Sequence, residues 1–423
     1  MKNFLEKITI VLRDATLRKR IGFTLGALIV FRLLSTIPIP GIDAASLGRL
    51  LDGNQFLGLL DVFSGGGISR LSIVMLGVGP YITASIIVQL MTMMFPSMKA
   101  LMQEEGEAGR LKLSTYSRLL TIPLALLQAF AFISLFQNQG VIPELTGLVL
   151  AVNIVVIAAG SVLLMWIGEL ISEFGIGNGV SLIIFAGIVA ALPQSIMQFV
   201  ASFDAANLPL YALALVIGLV VIVAVVVVTE AERSVPVTYA KQVRGNKVYG
   251  GVSTYLPLRL NQSGVIPIIF ALSILLFPQI IANFLSKSSV TYVADIASSV
   301  SAFLADPWSN AIVYFVLVFI FTYFYTAVTF DPKQISENLQ KSGAFIPGVR
   351  PGESTMEYLG KIVTRITLVG ALFLGIIAVL PLITQGFTGN QSLAIGGTAL
   401  LIVVSVVLDL LKKIDAQVSM REY

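Results

Sequence analysis

The sequence predicts an all-α fold: a polytopic membrane helix bundle of ten transmembrane helices. Three observations predict it. The 423 residues are 56% hydrophobic and 12% charged, with a mean hydropathy of +0.91, where soluble domains carry about 25% charge. The apolar residues run in blocks: no Asp, Glu, Lys or Arg occurs in 71–98, 119–143, 145–168, 174–203, 205–229, 260–286, 310–330 or 366–408. A helix needs about 20 such residues to cross the hydrocarbon core. Finally, the cations gather on one side of the topology these blocks imply.

Taken in order, the basic segment Met1 to Arg20 leads into span one, 21–40, which holds a single charge, Arg32. Spans two to six fall at 72–95, 118–137, 147–170, 180–200 and 208–229, each built on one uncharged block. Spans seven and eight follow at 263–285 and 309–329. The last block holds two spans, 362–383 and 393–411, parted by the turn-rich Thr384-Gln385-Gly386-Phe387-Thr388-Gly389-Asn390. Ten spans put both termini on the same side.

The positive-inside rule decides which side. With the N-terminus cytoplasmic, the N-terminal segment holds 6 Lys and Arg and the loop between spans two and three holds 4. The loops after spans six and eight hold 5 each and the C-terminus 3, which places 23 of the 27 inside. The exceptions are Arg32 within span one and Arg49, Arg70 and Lys287 outside. Division near 204 leaves five spans in each half, 1–203 and 204–423. An odd number makes the second half enter from the opposite side, so an inverted repeat is permitted.

Absences exclude function classes. No Cys or His is present, so disulfides, thiol or imidazole catalysis and thiolate or imidazole metal sites are ruled out. No G-x-x-x-x-G-K-[ST] loop occurs, so nucleotide hydrolysis by this chain is not expected. The N-terminus is too long in charge and has no small-residue cleavage site, unlike a signal peptide.

Several motifs carry a family resemblance. Leu60-Asp61-Val62-Phe63-Ser64-Gly65-Gly66-Gly67 runs into Gly79-Pro80-Tyr81-Ile82-Thr83-Ala84-Ser85-Ile86. Gly175-Ile176-Gly177-Asn178-Gly179-Val180-Ser181 precedes span five. Ser253-Thr254-Tyr255-Leu256-Pro257-Leu258-Arg259 and Ala344-Phe345-Ile346-Pro347-Gly348-Val349-Arg350-Pro351-Gly352 lie in the two long cytoplasmic loops, 230–262 and 330–361. In order and position along nearly the whole chain, these resemble the SecY family, the central channel of the Sec protein translocase.

The resemblance implies a protein-conducting channel of the general secretion pathway in a bacterial plasma membrane. It would translocate unfolded polypeptides and release helices sideways into lipid, without a cofactor. The implied partners are SecE-like and SecG-like small membrane subunits, a SecA motor ATPase, the ribosome, signal sequences with their nascent or preprotein chains, and the lipid bilayer. Ile82, Ile86, Ile184, Ile188, Ile269 and Ile402 match an apolar ring at the waist of an hourglass pore. Such a ring offers ions no ligand and dewets when narrow. By composition alone these are ordinary apolar span residues. The segment about 57–71 matches a short half-helix, the plug, formed by Asp61, Val62, Phe63, Ser64, Gly65, Gly66, Gly67, Ile68, Ser69 and Arg70. Its bland alternative is an ordinary outer loop. Lys241, Arg244, Lys247 and Arg350 match a docking surface for the ribosome and the motor, where ribosomal RNA would be drawn by phosphate electrostatics. Enforcing topology would account for their charge but not for the loops' length.

Arg32 lies about 18 Å along the helix from Arg20, far enough towards the outer face to snorkel, and a structural role is favoured. Gly187, between two ring candidates, has no assignable role. A secondary transporter stays open as the alternative. It predicts convergent polar groups at mid-depth, for which Gln89 and Gln128 are the mid-span amides. An intramembrane enzyme is more distant still.

Overall fold

The computed structural model describes residues 14–40, 61, 64–103, 105–138, 140, 142–143, 145, 147–201, 208–239, 242–244, 247–249, 253–285, 290–388 and 391–419. Among them, ten helices stand at the ten expected spans: α1 (Ala15–Leu34), α2 (Gly79–Met94), α4 (Gly106–Asn138), α5 (Gly147–Phe174), α6 (Gly179–Ala201), α7 (Leu208–Glu230), α8 (Ile266–Leu285), α10 (Pro307–Thr329), α12 (Glu353–Thr388) and α13 (Gln391–Ser419). Three more connect them: α3 (Pro96–Gln103), α9 (Thr291–Ala305) and α11 (Pro332–Lys341). Even on described residues alone, α4, α5, α10 and α12 are long and apolar enough to cross a membrane. Their outward faces fit that solvent. Ile29 and Leu33 on α1, Leu148 on α5 and Ile312 on α10 all stay exposed, which lipid tolerates and water does not.

Local chemistry sets the helix ends. Asp14 caps α1 by accepting from the Thr16 and Leu17 amides at 2.7 and 3.2 Å. Span two was expected to begin at 72, yet α2 starts at Gly79. Pro80 sits in its first turn, where a missing amide costs nothing. The apolar residues before it are turns, with Gly77 at φ +56, folded back onto α1 and α5. The Ile39 amide donates to the Leu71 carbonyl, and the Ile73 amide to the Ile37 carbonyl. Ser161 of α5 donates to the Gly77 carbonyl at 2.9 Å.

That fold-back needs a glycine opposite it. A Cβ on Gly160 would collide with the Ile73 carbonyl oxygen. Gly160→Ala is therefore expected to cost about 1–3 kcal/mol by overpacking. Thermal unfolding in detergent checks it, and an unchanged midpoint would show that α5 can retreat freely.

The two long loops contain the described strands. β1 (Glu232–Tyr239), β4 (Ser253–Arg259) and β5 (Ala344–Phe345) form a sheet in the order β4-β1-β5, and β2 (Gln242–Arg244) pairs with β3 (Lys247–Tyr249) in a hairpin. Both neighbours of β1 run antiparallel to it, with Val235 opposite Leu256 and Thr238 opposite Phe345. The alternation of β1 buries Val235 and Val237, which pack with Leu258, Ile346 and Leu359 and Ile362 of α12. The loops are thus one unit seated on α12.

Three apolar cores hold the bundle. One surrounds Tyr314 between α7, α8, α10 and α12. A second joins α1, α5, α6 and α13. The third lies where the 68–75 turns meet α4 and α5. Among the described residues, helices before 202 meet helices after 207 chiefly where α8 packs against α2 and α4 and where α13 packs against α6, with Ile414 of α13 also reaching Leu17 of α1.

Candidate pore and docking surfaces

Four of the six ring candidates come from α2 and α6, where the four-residue spacing puts each pair on one helix face. Ile184 and Ile188 are each 2% exposed and Ile402 is 1% exposed, and all three share one apolar cluster. Ile82 and Ile269 pack against that cluster from α2 and α8. Ile86 is buried in the neighbouring core, which Ile82 also touches. Isoleucines from four helices thus converge in one apolar contact.

Of the plug candidates, Val62 and Phe63 lie outside the described residues. The resemblance implies a half-helix here: Asp61 and Ser64 are helical, and from Gly65 to Val78 the chain runs in turns. Gly65 and Gly66, at φ +73 and +79, break helical geometry. The turns are knitted from within: the Asp61 carboxylate accepts from the Ser69 amide at 2.7 Å, and the Ser64 hydroxyl oxygen accepts from the Gly67 and Ile68 amides. Burial pushes the Asp61 carboxyl up from its ordinary range, opposed by the Ser69 and Ile68 hydrogen bonds and the Arg70 charge.

Ser64 and Ile68 face the ring candidates directly. Across a cavity of about 70 Å³ they meet Ile82, Ile184 and Ile269. The glycines matter here too. A Cβ on Gly65 would stand 2.7 Å from the Phe31 ring and 3.0 Å from the Gly187 Cα. The Arg32 guanidinium donates to the Gly65 carbonyl at 2.9 Å. Both residues left without a site role by the sequence therefore converge on Gly65. Their partner is backbone, which leaves no signal in side-chain chemistry.

On the sheet side, a cavity of about 870 Å³ opens between α2, α4, α10, α11 and α12, with Gln89, Ser117, Thr326 and Thr367 on its walls. Gln128 instead lines the small cavity by the waist, so the two mid-span amides do not converge. Ion pairs tie helix ends near this side: Arg118 to Glu169 between α4 and α5 at 2.6 Å, and Lys412 to Glu230 between α13 and α7 at 2.8 Å.

Lys241 lies outside the described residues, and Arg244 and Lys247 are described only as backbone, paired across the β2–β3 hairpin. Arg350 is exposed in a tight tip between Gly348 and Gly352, at φ +82 and +96. Its carbonyl accepts from the Thr355 hydroxyl at 2.8 Å, and the Gly352 carbonyl accepts from the Ser336 hydroxyl at 2.6 Å. The tip is held through its backbone, and the guanidinium is left pointing into solvent.

Ten apolar helices packed around a buried apolar centre define a polytopic membrane bundle. A family model described as SecY matches residues 72–411. A protein translocase subunit SecY of Streptomyces coelicolor is 40% identical over 423 residues, covering 96% of each chain. The chain belongs to the SecY family. Solved structures share its fold. One is of a SecY protein whose plug domain is described as stabilising the closed state of the translocation channel and maintaining a membrane seal. It matches at a TM-score of 0.64 and 20% identity over 96% of this chain and 93% of that one. Sec61 in the canine ribosome–channel complex from the endoplasmic reticulum matches at a TM-score of 0.62 and 20% identity, with the same coverage.

Proposed function

We propose that this chain is the protein-conducting channel of a bacterial general secretion pathway, in the plasma membrane with both termini cytoplasmic. Residues 1–203 and 204–423 are its two inverted halves. Unfolded polypeptides pass the ring of Ile82, Ile86, Ile184, Ile188, Ile269 and Ile402 once the plug, residues 61–70, leaves. Apolar helices exit to lipid between α8 and the pair α2 and α4. The single observation that carries this reading is the convergence of isoleucines from four helices opposite Ser64 and Ile68. A ring without directional bonds closes against ions and spreads around any sequence.

The sheet side is the cytoplasmic side by its excess of Lys and Arg. There, the joined loops 230–262 and 330–361 dock the ribosome and a SecA-type motor, while SecE-like and SecG-like subunits complete the channel in the membrane. A small-solute transporter would need polar groups gathered at mid-depth. Gln89 and Gln128 line separate cavities, and among the described residues no cluster of three acidic groups exists to bind a coupling metal ion.

The test is transport itself. Vesicles containing the chain, a small SecE-like subunit, the motor and ATP are expected to protect an added preprotein from protease. Vesicles that accumulate no preprotein under those conditions overturn the reading.

A further inference from the structure

We infer that Arg32 and Gly187 are the positioning residues that seat the plug in the closed channel, an inference that rests on the channel reading above. Three contacts meet at one residue of the plug, Gly65. The Arg32 Nη1 donates to its carbonyl at 2.9 Å and lies 3.5 Å from the Ser35 hydroxyl. On its Cα side, only glycine fits between the Phe31 ring and the Gly187 backbone. Phe31 is 1% exposed and Gly187 is buried.

A cation in a span is costly and is kept where it has a partner. Snorkelling alone would send the guanidinium outward to water or a lipid phosphate. Here it turns inward, to a neutral carbonyl 33 residues along the chain. Of the plug's charges, Asp61 attracts the guanidinium and Arg70 repels it more strongly, so the hydrogen bond to the Gly65 carbonyl is what holds it. Gly187 lies on α6 between Ile184 and Ile188, at the height of the apolar cluster. The missing side chain there lets plug backbone approach the waist. Seating thus uses one charge-assisted hydrogen bond and one glycine-only contact. Neither needs a plug side chain, and both are lost together when the turn at Gly65 moves away.

Losing a charge-assisted bond shifts a closed–open equilibrium by about tenfold or more. The chain has no cysteine, so Ser69→Cys gives a unique reporter in the plug. The intact complex in vesicles is treated with a membrane-impermeant maleimide from the plug side, and resting conductance is recorded in planar bilayers. Arg32→Leu and Gly187→Val are each expected to raise the labelling rate about tenfold and to produce openings without a translocating chain. Arg32→Lys should fall between parent and leucine, because it keeps a donor but loses the planar fork. A purely structural arginine would instead lower thermal stability and leave labelling unchanged, which overturns the inference.

Deletion of 61–70 separates the two levels of the argument. A leaky deletion beside a silent Arg32→Leu rejects the seating role and keeps the plug. A silent deletion rejects the plug reading and the seating role with it.

Discussion

Ile402→Asn is expected to make the resting channel conduct. Ile402 is 1% exposed within the apolar cluster that joins α6 and α13, where the proposed ring lies. The cluster residues packed with it are apolar side chains that offer an amide no hydrogen bond. A buried polar group without a partner costs about 1–3 kcal/mol. An open, hydrated waist removes that cost, so the equilibrium moves towards it by roughly 5- to 150-fold. Single-channel recording in planar bilayers, with no preprotein present, should show frequent openings. Ile402→Leu keeps volume and polarity and should stay silent. Relaxed selectivity for signal sequences should accompany the leak, since less binding energy is then needed to open the ring. An asparagine variant as quiet as its parent would remove Ile402 from the ring.

Arg350→Glu is expected to abolish motor-driven transport and leave the protein otherwise intact. The bonds that hold the tip run through the backbone of Arg350 and Gly352, and substitution of the side chain spares them. An exposed surface change typically costs less than about 0.5 kcal/mol. A docking arginine is different. Reversing its charge removes a charge-assisted contact and adds repulsion, about 2–5 kcal/mol where the contact is buried in the complex. That corresponds to roughly 30- to 5,000-fold weaker engagement. Expression, melting temperature and assembly with the small subunits should match the parent, and lysine should restore transport only in part. Protease-protected preprotein in vesicles with motor and ATP is the readout. Full transport by the glutamate variant would return Arg350 to the charges that only set topology.

The spans were legible because membrane burial writes itself in composition: an uncharged run of 25 residues such as 205–229 leaves α7 little choice. The start of α2 was not legible. Residues 72–78 are as apolar as a span, and hydropathy cannot tell a lipid-facing helix from turns buried in protein. Only the positive φ at Gly77 and the proline after Gly79 separate them. The helix α9 leaves no span signal, since its 15 residues are too short to cross a membrane, although Val293, Ala297, Val300 and Leu304 keep a helical period. The pairing of β1 with β5 joins residues about a hundred positions apart, and no local pattern announces such a contact. At the waist, side-chain types pointed to the isoleucines through resemblance. The partner of Arg32 is a carbonyl that every residue possesses, so the sequence carries no mark of it.

The joined loops also have a mechanical meaning. β1 continues from α7, β4 leads within a few residues into α8, and the sheet rests on the first turns of α12. The Leu260 amide is tied to the Ala231 carbonyl, and the Leu260 carbonyl presses close to Gly370 of α12, so the joint has little slack. The sheet is therefore a crank handle attached to one half of the molecule. The sheet is joined to α7 and α8 and seated on α12, and of these α8 is the helix that rests on α2 and α4. The contact of α13 with α6 stands as the fulcrum. A partner gripping this handle would find α8 and α13 the main bearings through which its work reaches the helices before residue 202.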